Sequence, residues 1–368
     1  MFDFKTVFFY AGVVIVCSLL ANSAEKKPKI WKAVLIISVL TFVAGCRANT
    51  VGNDTMGYYK MFQSNATYGF IREYAFGYYI KILMKIFKNA NLCILATSFI
   101  TNALIICGFW KIRDVSKFKY NVIAYVFIPF FLTMSGLRQW LAISIIVYFF
   151  NLILEKKYIK FSLAVVLASL FHTSSLVALA YVVISVITEK EYIKTFKSDF
   201  RRFFIIMVSI PALYLAVRYS MSEYSSYFEN LGVSDRGGIL MNFFRVVILL
   251  VFLFSSFFYK EMLKKRVTQT NDIAVYEKKQ TLISIAVFGY LFYIILGFIG
   301  QYVENVARIA WPFLITQGFI YGMFDEADVD WGKLGKTLLL VLFLYHLYST
   351  IFHNGNGLTP YIMFWEQV

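Results

Sequence analysis

The residues best placed to do chemistry in this sequence are five arginines, one histidine and one aspartate set at or near the ends of long uncharged stretches. Arg138 lies in Ser135-Gly136-Leu137-Arg138-Gln139, with no other charge nearby. His172 lies in Phe171-His172-Thr173-Ser174, inside an uncharged run over 161–188. Arg308 closes Glu304-Asn305-Val306-Ala307-Arg308. Arg236 and Arg245 bracket the start of another apolar stretch, and Arg245 sits about two helical turns into it. Arg47 stands seven residues before Asp54. Charge in or beside an apolar core is costly, so each of these is a functional candidate by default. Guanidinium groups grip phosphates in a fork geometry and keep their charge in a dry site. Tyrosines such as Tyr58 offer flat faces and hydroxyls to sugar rings. Arginines in place of a metal would neutralise an anionic leaving group, and a lipid diphosphate carrying sugar fits that description. Each residue also has a plainer reading. An arginine at a helix end snorkels to lipid headgroups, Arg245 could pair with Glu229 or Asp235, Asp54 could be a helix cap, and His172 a packed polar residue. His346 and His353, in or near the last apolar run, carry less weight.

The elements that must position these residues follow from composition. The chain has 368 residues, 60% of them hydrophobic and only 15% charged, with a mean hydropathy of +0.66. A soluble domain needs about a quarter charged residues. Uncharged stretches cover 6–24, 33–46, 89–110, 120–137, 161–188, 203–217, 280–303, 309–324 and 337–365. Most approach the ~20 residues that cross a hydrocarbon core, and backbone in lipid must be helical. The chain therefore reads as all-α, a single polytopic membrane domain over 1–368 with about twelve transmembrane helices. The first run reads as the first helix rather than a removed signal peptide.

The net charge of +15 has its cause in basic inner loops rather than nucleic acid. Clusters at Lys26–Lys32, Lys111–Lys119, Lys156–Lys160, Lys190–Arg202 and Lys260–Lys279 read as cytoplasmic. Both chain ends then lie outside, and inner segments hold roughly twice the Lys and Arg of outer ones. The acidic Asp325–Asp330 loop also falls inside. Two basic clusters flank the 161–188 run, so it must enter and leave on the same side, as a hairpin of two short helices turning near His172–Ser175. Outer segments run over 47–89 and 219–238. In the first, 76–88 predicts an amphipathic helix lying in the headgroup plane, with Lys81, Lys85 and Lys88 on one face. Cys17, Cys46, Cys93 and Cys107 show neither metal spacing nor a pairing pattern. Zinc, phosphate-loop, serine-elbow and Cys-x-x-Cys motifs are missing. Asp328-Val329-Asp330 reads as a solvated turn. No metal and no cofactor is expected.

Five pieces in this order resemble the EpsG family of exopolysaccharide polymerases, the Wzy-type enzymes. They are Val51-Gly52-Asn53-Asp54-Thr55 with Tyr58 and Phe62, Ser135-Gly136-Leu137-Arg138-Gln139, Phe171-His172-Thr173-Ser174, Ala307-Arg308-Ile309, and the Asn354-Gly355 tail. Gly-Leu-Arg-Gln and Phe-His-x-Ser are the more specific. The resemblance implies transfer of a growing glycan from undecaprenyl diphosphate onto the next lipid-linked repeat unit. This would occur at the outer leaflet of a bacterial cytoplasmic membrane. The lipid-linked oligosaccharide is then both donor and acceptor, with membrane lipids and a chain-length regulator as further candidate partners and no nucleic acid. Mapped onto this chain, Arg138 and Arg308 would hold a diphosphate, with Arg236 or Arg245 helping. His172 or Asp54 would take the acceptor proton. Arg47, Tyr58, Gln139 and Asn305 complete the expected substrate-binding set. An O-antigen ligase, a lipid-linked oligosaccharide flippase and a membrane acyltransferase are the competing classes.

Overall fold

Apolar runs without water to satisfy their backbone become helices. A computed structural model of the chain, describing residues 3–64, 73–189, 236–270, 272–300, 304–327, 330–354 and 356–366, is helical almost throughout. The extended pairing among them is a single bridge between Arg47 and Met363.

The first layer is built by α1 (Phe4–Lys26), α2 (Ile30–Gly45), α5 (Ala90–Lys111) and α8 (Leu137–Tyr148). α5 packs between α2 and α8, and α1 lies against α2 and α6 (Phe118–Phe127). Pro129 lacks an amide proton and crowds the preceding turn. It opens α7 (Pro129–Ser135), which bends 46° away from α6. α9 (Asn151–Leu154) continues the line of α8, and α10 (Tyr158–Ser169) and α11 (Ala180–Glu189) follow. The remaining layer comprises α12 (Arg236–Thr270), α13 (Ile273–Gly300), the short α14 (Glu304–Ile309), α15 (Thr316–Ala327) and α16 (Asp330–Phe352). Large apolar side chains such as Phe8, Leu19, Phe254 and Phe257 stay exposed on α1 and α12, as lipid-facing surfaces require.

Six helices are long and apolar enough to cross a membrane, seven if α6 and α7 count as one bent span. This is a multi-pass membrane protein. The expected dozen is not reached among the described residues, because the length of an uncharged run does not fix the length of its helix. α2 has 16 residues. The 309–324 run is divided by Pro312 into a 3-10 turn (Trp311–Ile315) and the start of α15. The expected helix over 203–217 and outer segment 219–235 lie outside the described residues.

The predicted hairpin is present. α10 ends at Ser169, His172 is extended, and a 3-10 turn (Thr173–Leu179) leads into α11. The amphipathic helix is α4 (Tyr74–Phe87), but its environment differs from the expectation. Phe76, Ile80 and Leu83 form a second core with Tyr58 and Phe62 of α3 (Thr55–Ser64) and with Cys93 and Leu141. The inner apolar face therefore packs on protein. Tyr74, Tyr78, Ile82 and Ile86 remain exposed. The run over 337–365 also divides: α16 ends at Phe352, and the chain folds back across the bundle end. The amides of Ala48, Gly52 and Asn53 donate to the carbonyls of Ile362, Gly357 and Asn356 at 2.7, 2.7 and 3.0 Å.

Described members of the basic clusters share one end of the bundle, cross-linked by carboxylates. Glu25 accepts from the Lys119 amide, and Lys156 pairs with Glu277 at 2.9 Å. Asp325 meets Lys117 and Lys336 at 3.0 and 2.7 Å, and Glu326 meets Lys279 at 2.7 Å. The acidic stretch entered at Asp325 thus supplies counter-charges to this end. Asp330 is exposed and pairs with Lys333. Residues 328 and 329 lie outside the described set.

Candidate active site

At the opposite end of the bundle, side chains from five helix ends and turns converge. The Gly136-Leu137-Arg138-Gln139 stretch is the hub. Gly136 lets the Trp311 ring approach so closely that a Cβ there would sit 2.6 Å from a ring carbon. Trp311 in turn stacks on Trp140 at 5.9 Å. Leu137 packs in the second core. Arg138 forms an ion pair with Glu73 at 2.7 Å. Gln139 is buried and donates to the Arg308 carbonyl at 2.7 Å and to Ser174 Oγ at 3.2 Å. It therefore ties α14 to the His172 turn rather than offering its amide to solvent.

Glu73 organises the His172 side. Its Oε1 lies 2.9 Å from His172 Nδ1 and accepts from the Thr173 amide at 2.9 Å, while Oε2 faces Arg138. Burial pushes the Glu73 carboxyl up, but the His172 hydrogen bond and the Arg138 charge outweigh it and hold the group below its usual range. An ionised carboxylate only accepts. In the neutral imidazole the proton must then sit on Nδ1, which leaves the Nε2 lone pair bare. Carboxylate orientation of this kind fixes a histidine as a proton acceptor.

Asp54 and Arg308 form the other half, paired at 3.2 Å with each side chain 36% exposed. Asp54 directly precedes α3, and the Tyr58 amide donates to its carbonyl at 3.1 Å. Tyr58 lies within electrostatic range of both halves. Burial pushes its hydroxyl up, Arg138 offsets part of that, and Asp54 and Arg308 both act on it. Its ring meets Phe76 edge-on at 6.1 Å. The Arg308 guanidinium also lies over the Trp311 ring at 5.8 Å.

Arg47 departs from the expectation that it contacts substrate. It is buried, and it donates to the carbonyls of Ala44, Val51 and Met134 and to Thr55 Oγ1. Gly52, at φ +97° and 2.6 Å (as an ideal Cβ) from the Met134 carbonyl oxygen, completes this turn, which no side chain would fit. Arg47 thus clamps the 47–55 loop and so sets the position of Asp54. Arg47→Ala removes the donors that hold the Ala44, Val51 and Met134 carbonyls together, leaving Thr55 Oγ1 to serve Val51 and Met134. It is expected to cost on the order of 3 kcal/mol, read as a lower thermal midpoint of the detergent-solubilised protein.

Arg245 is placed apart, on α12, with His346 and Tyr293 as neighbours. Arg236 and Asn305 lie in α12 and α14, and their side chains fall outside the described residues. The sequence reading missed Glu73. The available signal was scarcity: Asp54 and Glu73 are the two carboxylates in the segment 47–89.

The EpsG family model matches residues 30–363, most of the chain. No curated protein and no solved structure matches it.

Proposed function

This chain belongs to the EpsG family, a Wzy-type polymerase family, and from that premise we propose that it joins undecaprenyl-diphosphate-linked repeat units at the outer leaflet of the bacterial cytoplasmic membrane. Its general function is exopolysaccharide polymerisation; the donor, the leaving group and the residue roles are our reading. The observation that carries it is a pair of charged groups, Glu73 with Arg138 and His172, and Asp54 with Arg308, tied to one another through Gln139. It lies at the bundle end opposite the basic loops, and the positive-inside rule supports reading that end as the outer one.

In this reading an acceptor hydroxyl attacks the anomeric carbon of the donor sugar. A new C–O bond forms to the acceptor, the bond from carbon to the diphosphate oxygen breaks, and undecaprenyl diphosphate leaves with the electron pair. The acceptor proton passes to His172 Nε2. Asp54, already paired with Arg308, is the weaker choice of base. Arg308 and Arg138 neutralise charge that grows on the leaving diphosphate, as preorganised donors do in a low-dielectric site. Each arginine rests against a carboxylate, so the incoming diphosphate replaces one counter-charge with another.

The test is a gel of lipid-linked glycans from cells lacking the gene and cells complemented with the wild-type chain. A single repeat unit accumulating on the outer leaflet, converted to a ladder on complementation, supports polymerisation. Repeats trapped on the inner leaflet would instead indicate a flippase. A normal ladder that stays on undecaprenyl diphosphate would indicate a ligase, and a ladder lacking acetyl groups an acyltransferase.

A further inference from the structure

Beyond α16 the chain makes a turn whose shape is fixed independently of the active site. Asn354, at φ +48°, lies in the left-handed region that asparagine tolerates. Its side chain accepts from the Thr359 amide at 2.9 Å and donates to the Thr359 carbonyl at 2.7 Å. Thr359 Oγ1 donates to the Ile351 carbonyl at 3.1 Å, which holds the turn on the end of α16. The buried Tyr10 hydroxyl of α1 donates to the carbonyl of buried Leu358 at 2.7 Å. Thr6 Oγ1, also on α1, accepts from the Tyr361 amide at 2.7 Å. The turn is thus pinned to two helices that carry no residue of the proposed mechanism.

The same turn meets both charged groups of the active site. The Asn356 carbonyl accepts twice, from the Asn53 amide at 3.0 Å and from the hydroxyl of buried Ser135 at 2.8 Å. Asn53 directly precedes Asp54, and Ser135 stands three residues before Arg138. One carbonyl oxygen therefore joins the Asp54 loop to the Arg138 turn. The next carbonyl, that of Gly357, accepts from the Gly52 amide at 2.7 Å. Gly357 has φ +65°, and a Cβ on it would run into Asn53 Oδ1 and lie 3.2 Å from the Asn53 amide nitrogen. Glycine alone fits there.

We propose that this turn is a positioning element of the active site. Its Asn356 carbonyl sets the separation between the Asp54–Arg308 pair and the Glu73–Arg138–His172 group, with Ser135 and Gly357 as positioning residues. The catalytic part rests on the function proposed above; the tie rests on the hydrogen bonds alone. Base and leaving diphosphate act on one sugar carbon, and a misplacement of about 1 Å costs on the order of 10²-fold in rate. Gln139 links the two groups through the Arg308 carbonyl and Ser174. The turn supplies a second link, in which the acceptor is main chain.

The test has two readouts. In the purified full chain, Gly357→Ala should speed hydrogen exchange in peptides covering 47–55 by about two- to tenfold, the range that loss of one hydrogen bond supports. In cells whose only copy carries Ser135→Ala, polymer per unit of membrane-inserted protein should fall about tenfold or more. Ser135→Thr keeps the hydroxyl and should restore most of that loss, which a contact serving only to fill space would not predict. Should Gly357→Ala fail to fold, the Ser135 pair decides the matter. Unchanged exchange in Gly357→Ala overturns the tie, and normal polymer in Ser135→Ala overturns its role in positioning. Polymer loss that Ser135→Thr does not restore overturns the part given to the hydroxyl. Repeats trapped on the inner leaflet of deletion cells would defeat the proposed function, while exchange over 47–55 would still report the tie.

Discussion

Cells whose only copy of the gene carries His172→Ala should make ~10²–10⁴-fold less polymer than wild type, the usual contribution of a positioned base. The chain should still fold. His172 lies in a turn, and the core residues of α10 and α11, Phe161, Val165 and Tyr181, do not depend on it. The outer-leaflet single repeat unit should accumulate as it does in the deletion. The measurement is polymer per unit of membrane-inserted protein, with insertion checked by blot. A ladder of normal length and amount would remove His172 from the mechanism. The proton would then pass to Asp54, and Asp54→Asn becomes the variant that must fail.

Glu73→Gln should have an effect of about 10²-fold, although Glu73 touches no reacting atom in the proposed mechanism. It is a positioning residue acting through two others. An amide can offer its NH2 to Nδ1 and stabilise the wrong tautomer, and it removes the Glu73 counter-charge from Arg138. Glu73→Asp, which keeps the charge on a shorter stem, should recover part of the activity. A purely structural role would not discriminate Gln from Asp in this direction. The same residue gives a pH signature. Its carboxyl is held below the ordinary value of 4.5 in the folded chain. The stability it contributes is therefore fully present above about pH 4.5 and is lost as pH falls through the lowered folded value. Wild type should lose thermal midpoint over that acid range, and Glu73→Gln should lose less. Parallel pH profiles for the two proteins would show that the carboxylate is not held by His172 and Arg138 in solution.

Both effects arise from one architectural fact. The arginines proposed to meet an anionic substrate are already paired with carboxylates. Arg138 and Arg308 are kept in shape by Glu73 and Asp54, and Gln139 fixes the backbone of one against the turn of the histidine. Preorganisation of this kind removes the cost of gathering like charges before the substrate arrives.

Composition and local pattern determined the class of this protein. Sixty per cent hydrophobic residues with clustered charge leave a membrane bundle as the reading, and backbone chemistry in lipid makes it helical. The break at His172 was legible because the run over 161–188 had to enter and leave on one side. Arg138, His172, Asp54 and Arg308 were legible because charge beside apolar runs is rare. These are local signals, carried within one or two helix lengths. Helix length was not among them, since hydropathy does not report where Pro312 or the 353–366 fold-back interrupts a run. Partnership was not either. Glu73 meets His172 across 99 positions, and Asp54 meets Arg308 across 254. Arg47 and Arg138 look alike in sequence, each at the end of an apolar run. One is enclosed by the carbonyls of Ala44, Val51 and Met134 and becomes a clamp, while the other faces a carboxylate beside a histidine. Arg245 could have paired with a carboxylate and instead lies against His346 and Tyr293. What a buried charge does depends on the groups the fold brings around it, because its energy is set by neighbours within a few ångströms, and only the tertiary structure chooses those.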